Sequence, residues 1–259
     1  MIKESLENML MTMEIYWEND FPLLFHYTSL EAACKIIESN RLKLGNLSKT
    51  NDPLEFCKPS GYGMVGPIST EEHCRILRED EQAKDSCRIL CFCHDVVFNK
   101  NGETVQTICN NYLWKGWGKN RMWAQYADNH RGVCLVFDKD ELLVEFKKLQ
   151  DNGIIIHHGK INYSNYFHKL DNCLFKGHEI DYLFQKCEDF RDENEYRLCT
   201  IGTNKEIAFG FGDSLKAIIL GARVSPYIKI VPVLSKPIEQ FRIRWNFGMP
   251  ELQKYQINA

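Results

Sequence analysis

The stretch Leu23–Glu55 constrains the fold more than any other. Leu23–Phe25 is a short apolar run behind Pro22, the pattern of a buried strand. Ser29 is placed to cap a following helix, on which Leu30, Ala33, Cys34, Ile36 and Ile37 fall on one apolar face. Asn40 suits a left-handed helix end. Leu42 and Leu44 then alternate with Lys43 and Gly45, which predicts a second strand. Asn51-Asp52-Pro53 is a turn signal, because Asn and Asp bond their own backbone and Pro fixes φ. Strand, helix and strand in this order predict an α+β fold. The first strand brings His26 and Tyr27 to the mouth of a sheet, and the turn presents Asn51, Asp52 and Glu55 at the surface.

The rest of the chain continues in the same manner. Residues 1–18 carry apolar positions at helical spacing, ending in Tyr16 and Trp17. The region 57–86 reads as a glycine-containing surface excursion followed by a solvated helix. Ser86–His94 reads as a strand, and Asp95–Lys119 as a long loop holding Trp114 and Trp117. Met122–Asn129 predicts a short helix, Val133–Phe137 a strand, Asp138–Leu149 a helix, and Ile154–Tyr163 one or two strands. Gly177–Glu188 reads as a helix. Strands are expected at Glu195–Ile201, Glu206–Phe209 and Leu215–Leu220. No repeat or proline-rich linker divides the 259 residues, so a single α+β domain is expected over 1–259, with 225–259 as a C-terminal extension.

Composition excludes some classes. No run approaches the roughly 18–20 apolar residues of a membrane span, and the first residues lack a signal-peptide pattern. A cytoplasmic protein without membrane contact is expected. A formal net charge of −3 argues against wholesale nucleic-acid binding. Eleven cysteines, an odd number, read as reduced thiols. Cys87, Cys91, Cys93 and His94 form the one cluster with metal-ligand chemistry. Cys87, Ile89, Cys91 and Cys93 alternate at a period of two, and no second Cys-x-x-Cys follows. A buried strand is the expectation, with no metal and no disulfide.

Two places carry candidate chemistry. Glu193, Glu195 and Arg197 share one face if all three lie on a strand. They could form a solvated edge with an ion pair, or two acids converging on a substrate, one of them oriented by Arg197. Trp123 and Tyr126, on the short helix, could be core residues or a stacking wall beside a cleft.

Taken together, several stretches resemble a known family. They are His26-Tyr27-Thr28-Ser29, Asn51-Asp52-Pro53-x-Glu55 and Met122-Trp123-x-x-Tyr126-Ala127-x-x-His130-x-Gly132, then Glu193-x-Glu195-Tyr196-Arg197 and Ile218-Ile219-Leu220-Gly221. In this order they resemble an uncharacterised, mostly bacterial domain of unknown function, grouped with ADP-ribosyltransferase-like folds and including abortive-infection proteins. The resemblance runs over residues 23–221. Cys91-Phe92-Cys93 stands where relatives often have Ser-Phe-Ser. The resemblance implies a split, antiparallel-rich sheet with flanking helices and a cleft for NAD as substrate. It implies an ADP-ribosyltransferase or NAD glycohydrolase, a toxin or phage-defence effector with a macromolecular acceptor. The alternative is a non-catalytic nucleotide- or nucleic-acid-binding module. Carried over, Glu195, Glu193 and Tyr126 take the catalytic roles. His26, Tyr27, Thr28, Asn51, Asp52, Trp123 and Arg197 hold the dinucleotide, with His26 on a ribose and Trp123 or Tyr126 against nicotinamide.

Overall fold

In a computed structural model, the described residues are 6–11, 16–17, 21–52, 55, 71, 74–75, 78, 82, 84–95, 97–98, 115–164, 181–202, 205–228 and 238–255. They are α+β and rich in strands, with few helices. The helices are α1 (Leu6–Met11), α2 (Leu30–Ser39), α3 (Asn120–Gln125) and α4 (Lys139–Lys147). The early strands are β1 (Tyr16–Trp17), β2 (Leu23–Thr28), β3 (Arg41–Asn46), β4 (Arg88–His94) and β5 (Val97–Phe98). Then come β6 (Val133–Asp138), β7 (Ile155–Lys160), β8 (Asn162–Tyr163), β9 (Gln185–Lys186) and β10 (Glu195–Ile201). The last are β11 (Ile207–Gly210), β12 (Leu215–Leu220), β13 (Glu239–Asn246) and β14 (Met249–Lys254). The chain forms two compact units: 1–42 with 92–146 and 209–259, and 43–91 with 147–208.

The first unit is built on strands in the order β2-β6-β12-β13-β14, with the end of β4 against β2. Pairing is antiparallel except between β12 and β13. Val133–Phe137 of β6 is apolar without alternation, and every one of these residues is buried, as in a strand covered on both faces. Leu23, Phe25, Tyr27, Trp117, Met122, Trp123, Val136, Ile219 and Phe241 share one core. Each such large apolar side chain contributes about 2–3 kcal/mol through burial. Helix α2 starts on Ser29, whose hydroxyl accepts from Ala32 N at 3.2 Å, and ends on left-handed Asn40 with φ 49°. Asp138 Oδ1 accepts from Glu141 N at 3.0 Å and caps α4 in the same way.

In the second unit, β3 and β4 pair antiparallel at Gly45–Ile89 and Asn46–Arg88. Strand β10 lies beside β4 and pairs antiparallel with β7 from Tyr196–Lys160 to Ile201–Ile155. Parallel β8 and β9 join Tyr163 to Lys186. Leu47, Cys87, Ile89, Leu183 and Cys199 form its small core, where the Cys87 and Cys199 sulfurs lie 3.3 Å apart.

Several local expectations are corrected. Tyr16–Trp17 is strand, because its backbone pairs parallel with Val97–Phe98 instead of continuing a helix. Residues 181–186 are a 3-10 turn, Asp181–Phe184, followed by β9, where a helix was expected. Asn51 is exposed, but Asp52 and Glu55 are buried, so the turn faces inward. Within the C-terminal extension, residues 239–254 form β13 and β14, which pair into the first unit's sheet. Glu71, Cys74, Arg75 and Arg78 are helical and exposed, as expected of a solvated helix. The excursion 57–70, most of the loop 95–119 and the start of Gly177–Glu188 lie outside the described residues. Among the described residues, no helix is long and apolar enough to cross a membrane.

Candidate active site

The second unit buries five charged side chains together. Glu55, Lys186, Glu193, Glu195 and Arg197 are each no more than 6% exposed. Arg197 sits two residues beyond Glu195 on β10, so both side chains leave the same face. Arg197 Nε donates to Glu195 Oε1 at 2.7 Å, Nη1 donates to the Leu183 carbonyl at 2.6 Å, and Nη2 donates to Glu55 Oε1. Lys186, on β9, donates to Glu193 Oε2 at 2.7 Å and to Glu195 Oε2 at 3.1 Å. Its ammonium also lies 4.8 Å above the Phe190 ring. The backbone N–H of Glu195 donates to Tyr163 Oη at 2.9 Å.

Glu193 reaches this place by a different route from the one its spacing suggests. It ends the 3-10 helix Glu188–Glu193, and left-handed Asn194, φ 43°, separates it from the strand. The period-two argument therefore fails for Glu193. Lys186 brings its carboxyl next to that of Glu195 instead. Glu195 and Glu193 are equally buried, at 3% and 2% exposed.

The environments of the carboxyls differ. Burial alone pushes Glu195 upward, but Arg197 and Lys186 beside it, with hydrogen bonds from Arg197 and Cys91, hold it at about 2. Burial dominates at Glu55 and raises its carboxyl above the ordinary range, with Glu195 adding to the rise against Arg197 and Lys186. Burial likewise raises the Cys91 thiol and the Tyr163 hydroxyl. Lys186 is held protonated: burial opposes its charge, and Glu195, Glu193 and Glu55 outweigh that.

The remaining candidates belong to the first unit, apart from Asn51 and Asp52 in the second. Tyr27 is buried, and its hydroxyl donates to the Gly116 carbonyl at 2.6 Å. Gly116 N in turn donates to Asp95 Oδ1 at 2.7 Å, and Lys115 Nζ donates to Asp95 Oδ2 at 3.1 Å. Tyr27 thus fastens the 115–117 turn. Trp123 has no exposed surface. Its indole N–H donates to the Trp117 carbonyl at 2.7 Å, and its ring meets Tyr27 edge-on at 5.1 Å. These are the contacts of a core residue. Tyr126, His26 and Thr28 keep partial exposure, and the His26 ring lies 5.5 Å from Phe92.

Glu55, Lys186, Tyr163 and Cys91 also belong to the site, though the sequence gives them no site role. Glu55 closes the Asn51–Glu55 motif three residues after Asp52, a visible signal. Lys186 had none. Among the described residues, no group of three or more His, Cys, Asp or Glu side chains is arranged to hold a metal ion.

The pattern of a family described as a protein of unknown function (DUF2971) matches residues 122–198. That span holds Trp123 and Tyr126 near its start and Lys186, Glu193, Glu195 and Arg197 near its end. No curated protein and no solved structure matches the chain.

Proposed function

We propose that the second unit carries a glycosyl-transfer centre acting on NAD, as an ADP-ribosyltransferase or NAD glycohydrolase. One observation carries this reading: Glu195 is a buried carboxylate fixed by Arg197 and Lys186 and held ionised. Breaking the nicotinamide–ribose bond sends its electron pair to the ring nitrogen and leaves positive charge on the sugar. A fixed negative charge in a water-poor site stabilises that cation without reorganising during the reaction. The leaving nicotinamide needs no proton, because its ring loses a positive charge as it departs. The acceptor then bonds to the anomeric carbon and gives its proton to Glu193, the second carboxylate on Lys186. Arg197 donates to Glu195, Leu183 and Glu55 at once, so it positions Glu195. The proposal needs residues of the second unit only.

The test compares nicotinamide release with transfer of labelled ADP-ribose in wild type, Glu195→Gln and Glu193→Gln. Glu195→Gln should lose both activities, since a lost contact of about 3 kcal/mol lowers the rate roughly a hundredfold. Glu193→Gln should lower transfer more than hydrolysis, because water needs less positioning. Wild-type rates in Glu195→Gln would remove this carboxylate from the chemistry.

The burial of all five charges favours a second reading. A closed ionic cage can serve stability alone, in a module that binds a nucleotide or nucleic acid without turnover. Saturable NAD binding without nicotinamide release is its signature.

A further inference from the structure

The charge network leaves one oxygen unmatched. Glu55 Oε1 accepts from Arg197 Nη2, while Glu55 Oε2 is buried and, among the described residues, meets no hydrogen-bond partner. The Glu55 side chain is only 3% exposed. Its backbone is held as well, with Glu55 N donating to the Asp52 carbonyl at 3.1 Å. A buried unpaired carboxylate oxygen is expensive, and a proton or a ligand removes the expense.

The charge count favours the proton. Among the ion pairs of the described residues, Glu55, Glu193 and Glu195 face two cations, Lys186 and Arg197. A protonated Glu55 leaves two carboxylates against two cations. Glu55 is faced by Arg197 and Glu195 from β10 and by Lys186 from β9, and its raised carboxyl agrees with that count. Geometry then decides where the proton sits. Oε1 already accepts from a guanidinium that is always charged, so the proton belongs on Oε2. Among the described residues, Oε2–H is a buried donor without an acceptor.

Resting on the glycosyl-transfer reading, we propose that Glu55 touches the ligand: its neutral carboxyl donates from Oε2 to an uncharged sugar oxygen, a ribose hydroxyl of the dinucleotide. A phosphate is disfavoured there, because Glu193 and Glu195 repel it. A hydroxyl suits the place, accepting from Oε2–H while its own proton turns toward a neighbouring carboxylate. This contact adds to the role of Glu195. Glu195 meets the charge that develops on the sugar, and Glu55 reads the sugar before charge develops.

The experiment is a cycle of binding affinities, measured by calorimetry on the full chain. Its ligands are NAD and NAD analogues lacking one ribose hydroxyl. Its proteins are wild type, Glu55→Gln and Glu55→Leu. Glu55→Gln keeps the shape and can present an amide N–H where Oε2–H stood. It should bind NAD within about threefold of wild type, without the loss of affinity that wild type shows as Glu55 ionises at higher pH. Glu55→Leu should bind about tenfold more weakly, the size of one lost hydrogen bond. One deoxy analogue should lose about tenfold on wild type and nothing further on Glu55→Leu. Equal losses on both proteins for every analogue overturn the contact. Infrared difference spectra of wild type against Glu55→Gln should show a protonated carboxyl at neutral pH, and its absence also overturns the proposal. Nicotinamide release from wild type is read in parallel. Binding without release defeats the glycosyl-transfer reading and leaves the Glu55 contact to be judged by the cycle. No NAD binding by wild type defeats both.

Discussion

Arg197 Nε lies 2.7 Å from Glu195 Oε1, two residues back along one strand, and no surface of the guanidinium reaches solvent. A single cation thereby ties together β10, the Leu183 carbonyl and the Asn51–Glu55 turn. Arg197 is the mechanical centre of the second unit, whatever chemistry Glu195 performs.

Removing that cation should be costly. Arg197→Met leaves Glu195 and Glu55 buried, with Lys186 the remaining cation among the described residues. The loss of one partner from a buried network is expected to cost about 3–5 kcal/mol. Arg197→Lys keeps the charge but cannot reach three acceptors from one point, so an intermediate loss is expected. Urea unfolding of the three proteins checks the order wild type, Lys, Met. Equal stabilities would mean that the network contributes nothing to the fold.

Acid should weaken the second unit through Glu195. Its folded value, about 2, lies below that of an unfolded glutamate. A depressed carboxyl contributes stability above its unfolded value and loses it as pH falls toward the folded one. The loss therefore falls between about pH 5 and pH 2 and amounts to about 3 kcal/mol. Glu55 has the opposite sign. Its raised carboxyl contributes stability at low pH, and that contribution fades as pH rises through the folded value. Glu195→Gln should flatten the acid limb of the stability–pH curve, and Glu55→Gln the limb above it. Unfolding free energies measured across pH give both slopes, and an unchanged acid limb in Glu195→Gln would contradict the assignment.

Legibility in the sequence followed the range of the cause. Ser29 and Asn40 mark the ends of α2 through contacts within four residues, and both ends lie where the pattern places them. The apolar runs of β2, β6 and β12 are likewise self-evident, since a covered strand needs no alternation. The helical spacing of residues 1–18 misleads at Tyr16–Trp17, because the partner strand lies some eighty residues away. The burial of Glu55 was hidden for the same reason, as the donor to its carboxyl lies 142 residues further along. Glu193 failed differently: a 3-10 helix ending in a left-handed Asn194 interrupts the strand period, and Asn194 alone hints at it. The Glu195–Arg197 pair was visible because β10 starts at Glu195 and the period holds from there. Nothing local announced Lys186, which gathers Glu193 and Glu195 from outside their own segment.

The first unit offers a separate test of close backbone packing. Asp128, Asn129 and His130 are three successive left-handed residues, with φ of 45°, 52° and 69°. The turn they make is held by backbone hydrogen bonds, Gly132 N to the Ala127 carbonyl at 2.8 Å and Arg223 N to the His130 carbonyl at 3.0 Å. Gly221 N donates to the Gly132 carbonyl at 2.9 Å. A Cβ on Gly221 would lie 2.2 Å from the His130 carbonyl oxygen and 2.8 Å from that of Gly132. Those neighbours are backbone atoms of an already strained turn, so no flexible side chain can yield. Gly221→Ala should cost about 3 kcal/mol, the upper range for forcing atoms into a packed place. Gly153 supplies the contrast. Its φ is 74°, but a Cβ there meets nothing within 4 Å, so Gly153→Ala should cost only the left-handed penalty of about 1–2 kcal/mol. Urea titrations of both variants should place Gly221→Ala as the less stable. The reverse order would show that the turn before Gly132 can shift to admit a methyl group.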